Sequence, residues 1–302
     1  MSPARSTDRF RSRQAPVEDE VFLDHTAHFV QDLDQAGTRL QRLGFRPSAI
    51  NLQTNLGEDG LTRPSGTSNK LVRLRRGFLE FLAATHDTPL ADQLRKAHAR
   101  HEGVHLLAFS HADLEAQRSR LVTSGFRMQP MVHMRRHSSE SGGVVAWSIL
   151  RTQPGEMPEG RIQFVFPHTP ELSWPPGSTE HPNQVDSLTG VMICVNDPDE
   201  AAERYGSFLG RKAEDHKFSL DRGLVKIVSP MQAGAILSGL VVPGLPFIGA
   251  VTVATADLDE TRRILRENGV SPMAEADSVL WVGPRDALGC YIGFHDHRCT
   301  PM

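Results

Sequence analysis

The chain has 302 residues and a formal net charge of −3, long enough for two domains of ordinary size, each with its own core. Without a basic excess there is no reason to expect a nucleic acid or an anionic membrane as partner. No apolar run approaches the ~20 residues of a membrane span.

The opening MSPARSTDRFRSRQAPVEDE is polar and lacks the apolar centre of a secretory signal. Its arginines and serines suit a transit peptide, but Asp8 and the acidic run from Glu18 to Glu20 argue against one. Residues 1–18 are therefore expected to form a flexible tail. Cys194, Cys290 and Cys299 stand at no framework spacing, which fits a reducing cytoplasm.

The first ordered element is an apolar strand around Leu23 to Val30. Asp32 is placed to cap a helix whose apolar positions Leu33, Ala36, Leu40 and Leu43 recur at helical spacing, and Gly44 to end it. Next come a strand over Arg46 to Thr54, a Gly/Pro/Ser/Thr-rich loop to Ser68, and strands at Lys70 to Leu74 and Phe78 to Ala83. Pro89 to Arg100 reads as a short linking helix. The order then repeats: a strand over Val104 to Phe109, a helix from Leu114 to Gly125, and strands over Arg127 to Arg135, Val144 to Leu150 and Arg161 to Phe166.

FLDHTAHFVQDLDQAGTRLQRLGF, from Phe22, and GVHLLAFSHADLEAQRSRLVTSGF, from Gly103, say the same thing twice. Recurrence at a period of roughly 80 residues marks a duplicated module. The turn-rich HTPELSWPPGSTEHPN, from His168 to Asn183, marks a boundary. Two weaker copies follow, from Thr189 with Asp197 and Pro198 at the helix start, and from Gly249 with Asp257 and Gly269 as punctuation. Strands near Leu224 to Val228, Val279 to Val282 and Tyr291 to Phe294 complete them.

The pieces LDHTAHFVQDLDQA, RLGF and GFLEFLA resemble the vicinal oxygen chelate superfamily, which includes glyoxalase I, fosfomycin-resistance and bleomycin-binding proteins and extradiol dioxygenases. The chain looks most like the glyoxalase-like domain branch, and HTPELSW followed by HPN resembles a linker of that branch. The resemblance implies an α+β fold of four βαβββ modules paired into two glyoxalase-like domains. The expected organisation is a tail over 1–18, a first module pair over 19–168 holding a metal, a linker over 169–186, a degenerate second pair over 187–296, and a tail over 297–302.

In that fold a pair of modules forms a cup, with metal ligands on the first and last strands of each module. The matching residues are His25, Glu80, His105 and, by setting RIQFVF against GFLEFL, Gln163. Such a set implies one divalent transition metal: iron, manganese, nickel, cobalt or zinc. His25 lies seven residues before Asp32, whereas His105 lies eight before Asp113. A one-residue slip turns a strand side chain over. Either a bulge near Ser110 and His111 restores the register, or Leu106 takes the place and His105 points away. In the second pair Gly190 and Ala250 stand where the histidines would, and Ile227 and Ile292 or their apolar neighbours close the modules, so that pair is not expected to bind the metal.

His28 should face the helix side of its strand. His133, Arg135 and His137 alternate along one face and either line the cup or form a solvated face. Asn69 could reach the cup mouth, and His168 follows a closing strand. Phe29, Phe81 and Phe109 could give an apolar lining or belong to the core. Glu80 and His133 are the candidate proton-transfer groups, and Asn69, Arg135 and His168 the candidate substrate contacts.

The resemblance implies an isomerase or lyase acting on a small substrate that chelates the metal through adjacent oxygens. The alternatives are an Fe(II)-dependent extradiol-type dioxygenase and a metal-free small-molecule binding protein. The expected partner is a small molecule, with no nucleic acid and no membrane. Three roles stay open for the second pair: stabilising the first, covering its mouth, or making a homodimer.

Overall fold

Each repeat opens with a strand and an aspartate-capped helix in the computed structural model, which describes residues 13–56, 61–138, 141–237, 239–276, 278–299 and 302. The first repeat comprises β1 (Phe22–Phe29), α1 (Leu33–Arg42), β2 (Asn51–Leu56), β3 (Thr62–Arg73) and β4 (Phe78–Ala84), and α2 (Pro89–His98) leads to the second. That one comprises β5 (Gly103–Ser110), α3 (Leu114–Thr123), β6 (Val132–His137), β7 (Val144–Arg151) and β8 (Arg161–Pro167), followed by α4 (Pro170–Ser173). The third holds β9 (Val185–Cys194), α5 (Pro198–Leu209), β10 (Lys217–Ser219), β11 (Leu224–Val228) and α6 (Pro230–Ile236). The fourth holds β12 (Phe247–Thr255), α7 (Leu258–Glu267), β13 (Ala274–Ala276), β14 (Val279–Val282) and β15 (Tyr291–Asp296).

The helix starts are where the sequence puts them. The side chains of Asp32, Asp113, Asp197 and Asp257 each accept a backbone N–H of the first turn, a cap that stabilises by about 1 kcal/mol. Gly44 closes α1 at φ +80, and a Cβ there would lie 2.7 Å from Ile264 Cγ2. Among the described residues no helix is long and apolar enough to cross a membrane.

The strands form one mixed sheet in the order β10-β11-β9-β12-β5-β1-β4-β3-β2. β8, β7 and β6 branch from β5, and β15, β14 and β13 from β12. The α+β class and the module arrangement are thus as expected. One face packs on the helices through a core that includes Leu40, Phe81, Phe109, Phe164 and Phe208.

Both module pairs have the same register. β1 runs antiparallel to β5 with His25 opposite Ala108 and Ala27 opposite Leu106. β9 runs antiparallel to β12 with Gly190 opposite Thr252 and Met192 opposite Ala250. On the outer sides Ala27 pairs with Glu80, Ala108 with Gln163, Met192 with Lys226, and Thr252 with Gly293. The four equivalent places are therefore His25, Glu80, Leu106 and Gln163 in the first pair, and Gly190, Lys226, Ala250 and Gly293 in the second. Ile227 and Ile292, expected at the closing places, are one residue off and lie in the core on the helix side.

In the second pair the face opposite the helices is filled. Met192, Cys194, Phe247, Ala250, Trp281 and Tyr291 pack with Ile236, Leu240 and Met302. A Cβ on Gly190 would meet Met302 Cε at 2.8 Å.

Several segments depart from expectation. The stretch expected as a loop to Ser68 carries most of β3, which pairs with β2 and β4. β2 starts at Asn51 and β6 at Val132, later than the patterns suggested. The expected tail lies outside the described residues up to residue 12, but residues 13–18 are held: Gln14 Nε2 donates to the carbonyls of Leu74 and Arg75, and Arg13 pairs with Glu20.

Candidate functional site

In the first pair the face opposite the helices encloses a cavity of about 420 Å³. One half is built around His25. The β1 register skips Asp24, so this residue is an extra one in the strand, and such a bulge re-aims side chains. Asp24 and His25 both line the cavity, with Asp24 Oδ1 2.6 Å from His25 Nδ1. The imidazole stacks on Phe78, centroids 4.2 Å apart. Its Nε2 lies 4.0 Å from Glu80 Oε2.

Glu80 is held from its other oxygen. Oε1 accepts from Asn69 Nδ2 and, at 3.3 Å, from Gln53 Nε2. Gln53 Oε1 in turn accepts from Thr67 Oγ1 at 2.6 Å, and Thr67 contacts Ser65 Oγ at 2.8 Å. The alternation of β3 places Ser65, Thr67 and Asn69 on one face, and all three are buried. The chain fixes the carboxylate and leaves Oε2 towards His25.

The other half replaces acid with base. Leu106 holds the place equivalent to His25, and Gln163 that equivalent to Glu80. Gln163 Oε1 accepts from Arg151 Nε at 3.1 Å. Arg161 pairs with Leu106 across β5 and β8 and also lines the cavity. Burial lowers the Arg151 guanidinium's pKa, opposed by the Glu80 charge. Burial pushes Arg161 down to about 10, with Arg151 lowering it further and Glu80 raising it. Both remain cations at neutral pH. Arg73 and Arg136 also line the cavity, whose acidic groups among the described residues are Asp24 and Glu80. Phe78, Trp147 and Trp174 supply flat apolar wall. Trp174 is fixed by its Nε1, which donates to the Leu74 carbonyl at 3.1 Å.

Of the residues singled out from sequence, the fold brings His25, Glu80, Asn69 and Gln163 together. It does not bring His105, which is buried outside the cavity, its Nε2 2.8 Å from the His101 carbonyl and its ring stacked on His101. The register irregularities lie at Asp24 in β1 and at His105 in β5, not near Ser110: His105 is itself the extra residue, and Leu106, paired with Ala27, takes the cup place. β6 alternates as expected, and of its two alternatives the solvated face is the one observed: Val132, Met134 and Arg136 turn inward, and His133, Arg135 and His137 are exposed. Apolar Val132 and Met134 follow the cavity wall. Arg136, not Arg135, thus lines the cavity. His133 touches the cavity's edge, but its Nδ1 is 2.8 Å from Ser148 Oγ, which is 2.7 Å from His168 Nε2. His168 is exposed and not in the lining. Phe81 and Phe109 belong to the core and Phe29 to the packed floor. His28 faces the helix side as expected, against Phe81 and 3.0 Å from Cys290 Sγ.

Asp24, Gln53, Arg73, Arg136, Arg151 and Arg161 were not singled out from sequence. Arg161 was legible, since it stands two residues before Gln163 on a strand and therefore shares its face. Asp24 was not, because its position depends on a bulge.

Members of the superfamily typically bind a divalent metal. Here the four ligand places hold one imidazole, one carboxylate, one amide and a hydrocarbon, and the amide oxygen is engaged by Arg151. Among the described residues no three His, Cys, Asp or Glu side chains converge as a metal site requires. Two guanidiniums beside the missing half add charge of the same sign as the ion. The donor set does not fit a resident divalent metal.

No curated protein matches the chain in sequence. Among solved structures, a hypothetical protein from Staphylococcus aureus is similar with a TM-score of 0.58 at 15% identity, over 91% of this chain and 99% of that one. A variant of 4-hydroxymandelate synthase from Streptomyces coelicolor is similar with a TM-score of 0.57 at 16% identity, over 91% and 92% of the two chains. At such identities the likeness is one of fold. The family model described as "Glyoxalase-like domain" matches residues 23–209, more than half of the chain, and the chain belongs to that family, within the vicinal oxygen chelate superfamily.

Proposed function

We propose that the first-pair cavity binds a small organic anion and moves a proton on it, as an isomerase or lyase of the glyoxalase type, with His25 and Glu80 as the proton-transfer groups. The observation that carries this reading is the line Asp24–His25–Glu80. With Nδ1 at 2.6 Å from a carboxylate, the imidazole holds its proton there and turns the basic Nε2 into the cavity. Glu80 Oε2 stands 4.0 Å beyond, close enough for one carbon-bound proton to be taken at one site and returned at the other. The natural substrate would carry a carbonyl next to the carbon that loses the proton, and a second oxygen beside it. Arginine donors stabilise the charge that then develops on oxygen.

A metal-free binding protein is the second reading, favoured by Leu106 at a ligand place. The extradiol-type dioxygenase draws no support from the donor set, because the two-histidine, one-carboxylate face it needs lacks its second histidine.

The test is deuterium exchange at carbon. A panel of 2-oxo acids and 2-hydroxyketones is incubated with the protein in D2O and followed by proton NMR, beside His25→Asn and Glu80→Gln. Enzyme-dependent exchange or isomerisation of a panel member, lowered about 10²- to 10⁴-fold in His25→Asn, is expected. Binding of panel members without any exchange would leave the binding protein.

A further inference from the structure

Resting on that reading of the cavity, we propose that Arg151 and Arg161 form an oxyanion subsite that takes over the place of a metal, and that the substrate class is a small 2-oxo or 2-hydroxy carboxylate. The geometry comes from the register. Arg161 pairs with Leu106 and Arg151 with Gln163 across the adjacent strands, so the two arginines, both in the cavity lining, stand beside the two ligand places that hold no imidazole or carboxylate. Each has donors to spare. Arg151 uses Nε on Gln163, and among the described residues Arg161 makes one long hydrogen bond, 3.5 Å to Gln93 Oε1.

Two like charges placed side by side in a half-buried wall repel, and the Glu80 carboxylate is the charge that offsets both. Such an arrangement is stabilised by an anion with two oxygens on one edge, which a planar guanidinium fork binds in bidentate fashion. A carboxylate beside a carbonyl presents those oxygens. When His25 Nε2 takes the proton from the carbon next to the carbonyl, the electron pair of the broken C–H bond forms the C=C bond and the carbonyl pair moves onto its oxygen, and the two arginines hold the resulting enolate charge. A divalent ion does the same work in a four-ligand cup. Here the positive charge belongs to the protein itself.

The probe is oxalate, a planar dianion with the same oxygen spacing, titrated calorimetrically into the full chain in excess EDTA. One equivalent is expected to bind. Affinity should fall at least about tenfold in Arg151→Gln and in Arg161→Gln, as expected for loss of a charged hydrogen-bonded contact. Arg161→Lys keeps the charge without the fork and should fall between, which guards against a folding defect in the glutamine variant. Arg135→Gln, on the exposed side of β6, should bind like the parent. The proposal is overturned if oxalate does not bind in EDTA, if binding appears only with added manganese, nickel or zinc, or if it is indifferent to both arginine variants. Oxalate binding with no carbon exchange on any substrate would instead count against the proton-transfer reading and leave the arginine subsite standing.

Discussion

His25 and Leu106 occupy equivalent places on antiparallel neighbours: His25 faces Ala108 across the pair, and Leu106 faces Ala27. A local twofold relation through Thr26 and Leu107 therefore carries one onto the other. In a symmetric cup a second imidazole would stand where Leu106 does, 3% exposed and against Ala27 and Ile149 in the packed floor.

Leu106→His is expected to restore a third strong donor beside His25 and Glu80. Competition against a chromophoric chelator should show zinc or nickel held at least about tenfold more tightly than by the parent chain, the scale on which single groups act at metal sites. An unchanged affinity would mean that the Arg151 and Arg161 charges dominate the site whatever stands at 106. The double variant Leu106→His/Arg161→Leu separates those two effects.

Asp24 gives a second test, of mechanism. An Asp24→Asn side chain has nearly the same shape, but the imidazole loses the carboxylate acceptor that fixes its orientation and tautomer. Turnover on an exchanging substrate should fall by about 10²-fold or more. Oxalate binding, which the arginines provide, should stay within a few-fold of the parent. A fall in binding as large as the fall in turnover would make Asp24 a structural residue of the bulge.

Much of the fold and half of the cup are legible in the sequence, for reasons that differ residue by residue. The four caps and the strand-helix repeats rest on local chemistry, so Asp32, Asp113, Asp197 and Asp257 announce the modules directly. Glu80 and Gln163 follow from aligning two closing strands. The eight-residue spacing of His105 from Asp113, against seven for His25 from Asp32, leaves Leu106 and His105 as rivals for one place. What decides between them is a pair of bulges, at Asp24 in β1 and at His105 in β5, and bulges have no reliable signature in one strand's sequence. The phase of β6 is hidden for a related reason, since charged and apolar residues alternate there in a strand with one wet face. β3 is hidden because its inward residues are Ser65, Thr67 and Asn69: polar lining reads as loop composition although its period is two.

Acid should weaken the fold in a defined way. His28 is fully buried beside Cys290 and Phe81, and burial depresses it to about 3; His105, beside His101, is lowered to about 4, again chiefly by burial. Above pH 6.5 both are neutral folded or unfolded and contribute no pH dependence. Between pH 6.5 and 4 the unfolded chain binds a proton at each while the folded chain does not, so stability falls as pH falls, by about 1.4 kcal/mol per pH unit for each histidine. His101, His181 and His295 shift in the same direction. Urea unfolding from pH 6.5 to 5, above the range of ordinary carboxylates, should show a slope of at least two protons. His28→Gln should remove about one of them, and a slope unchanged in that variant would place the proton uptake elsewhere.

The stability of the interface between the halves should depend on one carboxylate. Glu159, in the turn before β8, has a side chain with 0% exposure, and it receives both terminal nitrogens of Arg204 from α5, at 2.9 and 2.8 Å. The same guanidinium also meets Glu200, one turn back on the helix, whose side chain is 58% exposed. The two carboxylates share a partner and differ in burial, which makes them a controlled pair. Removing Glu159 leaves a largely buried guanidinium without its forked acceptor, and Glu159→Ala should cost about 3–5 kcal/mol. Removing Glu200 breaks an exposed helical pair, and Glu200→Ala should cost no more than about 1 kcal/mol. Urea midpoints at equal slope measure both. Equal losses would show that helix α5, rather than the buried fork to the first module pair, is what Arg204 stabilises.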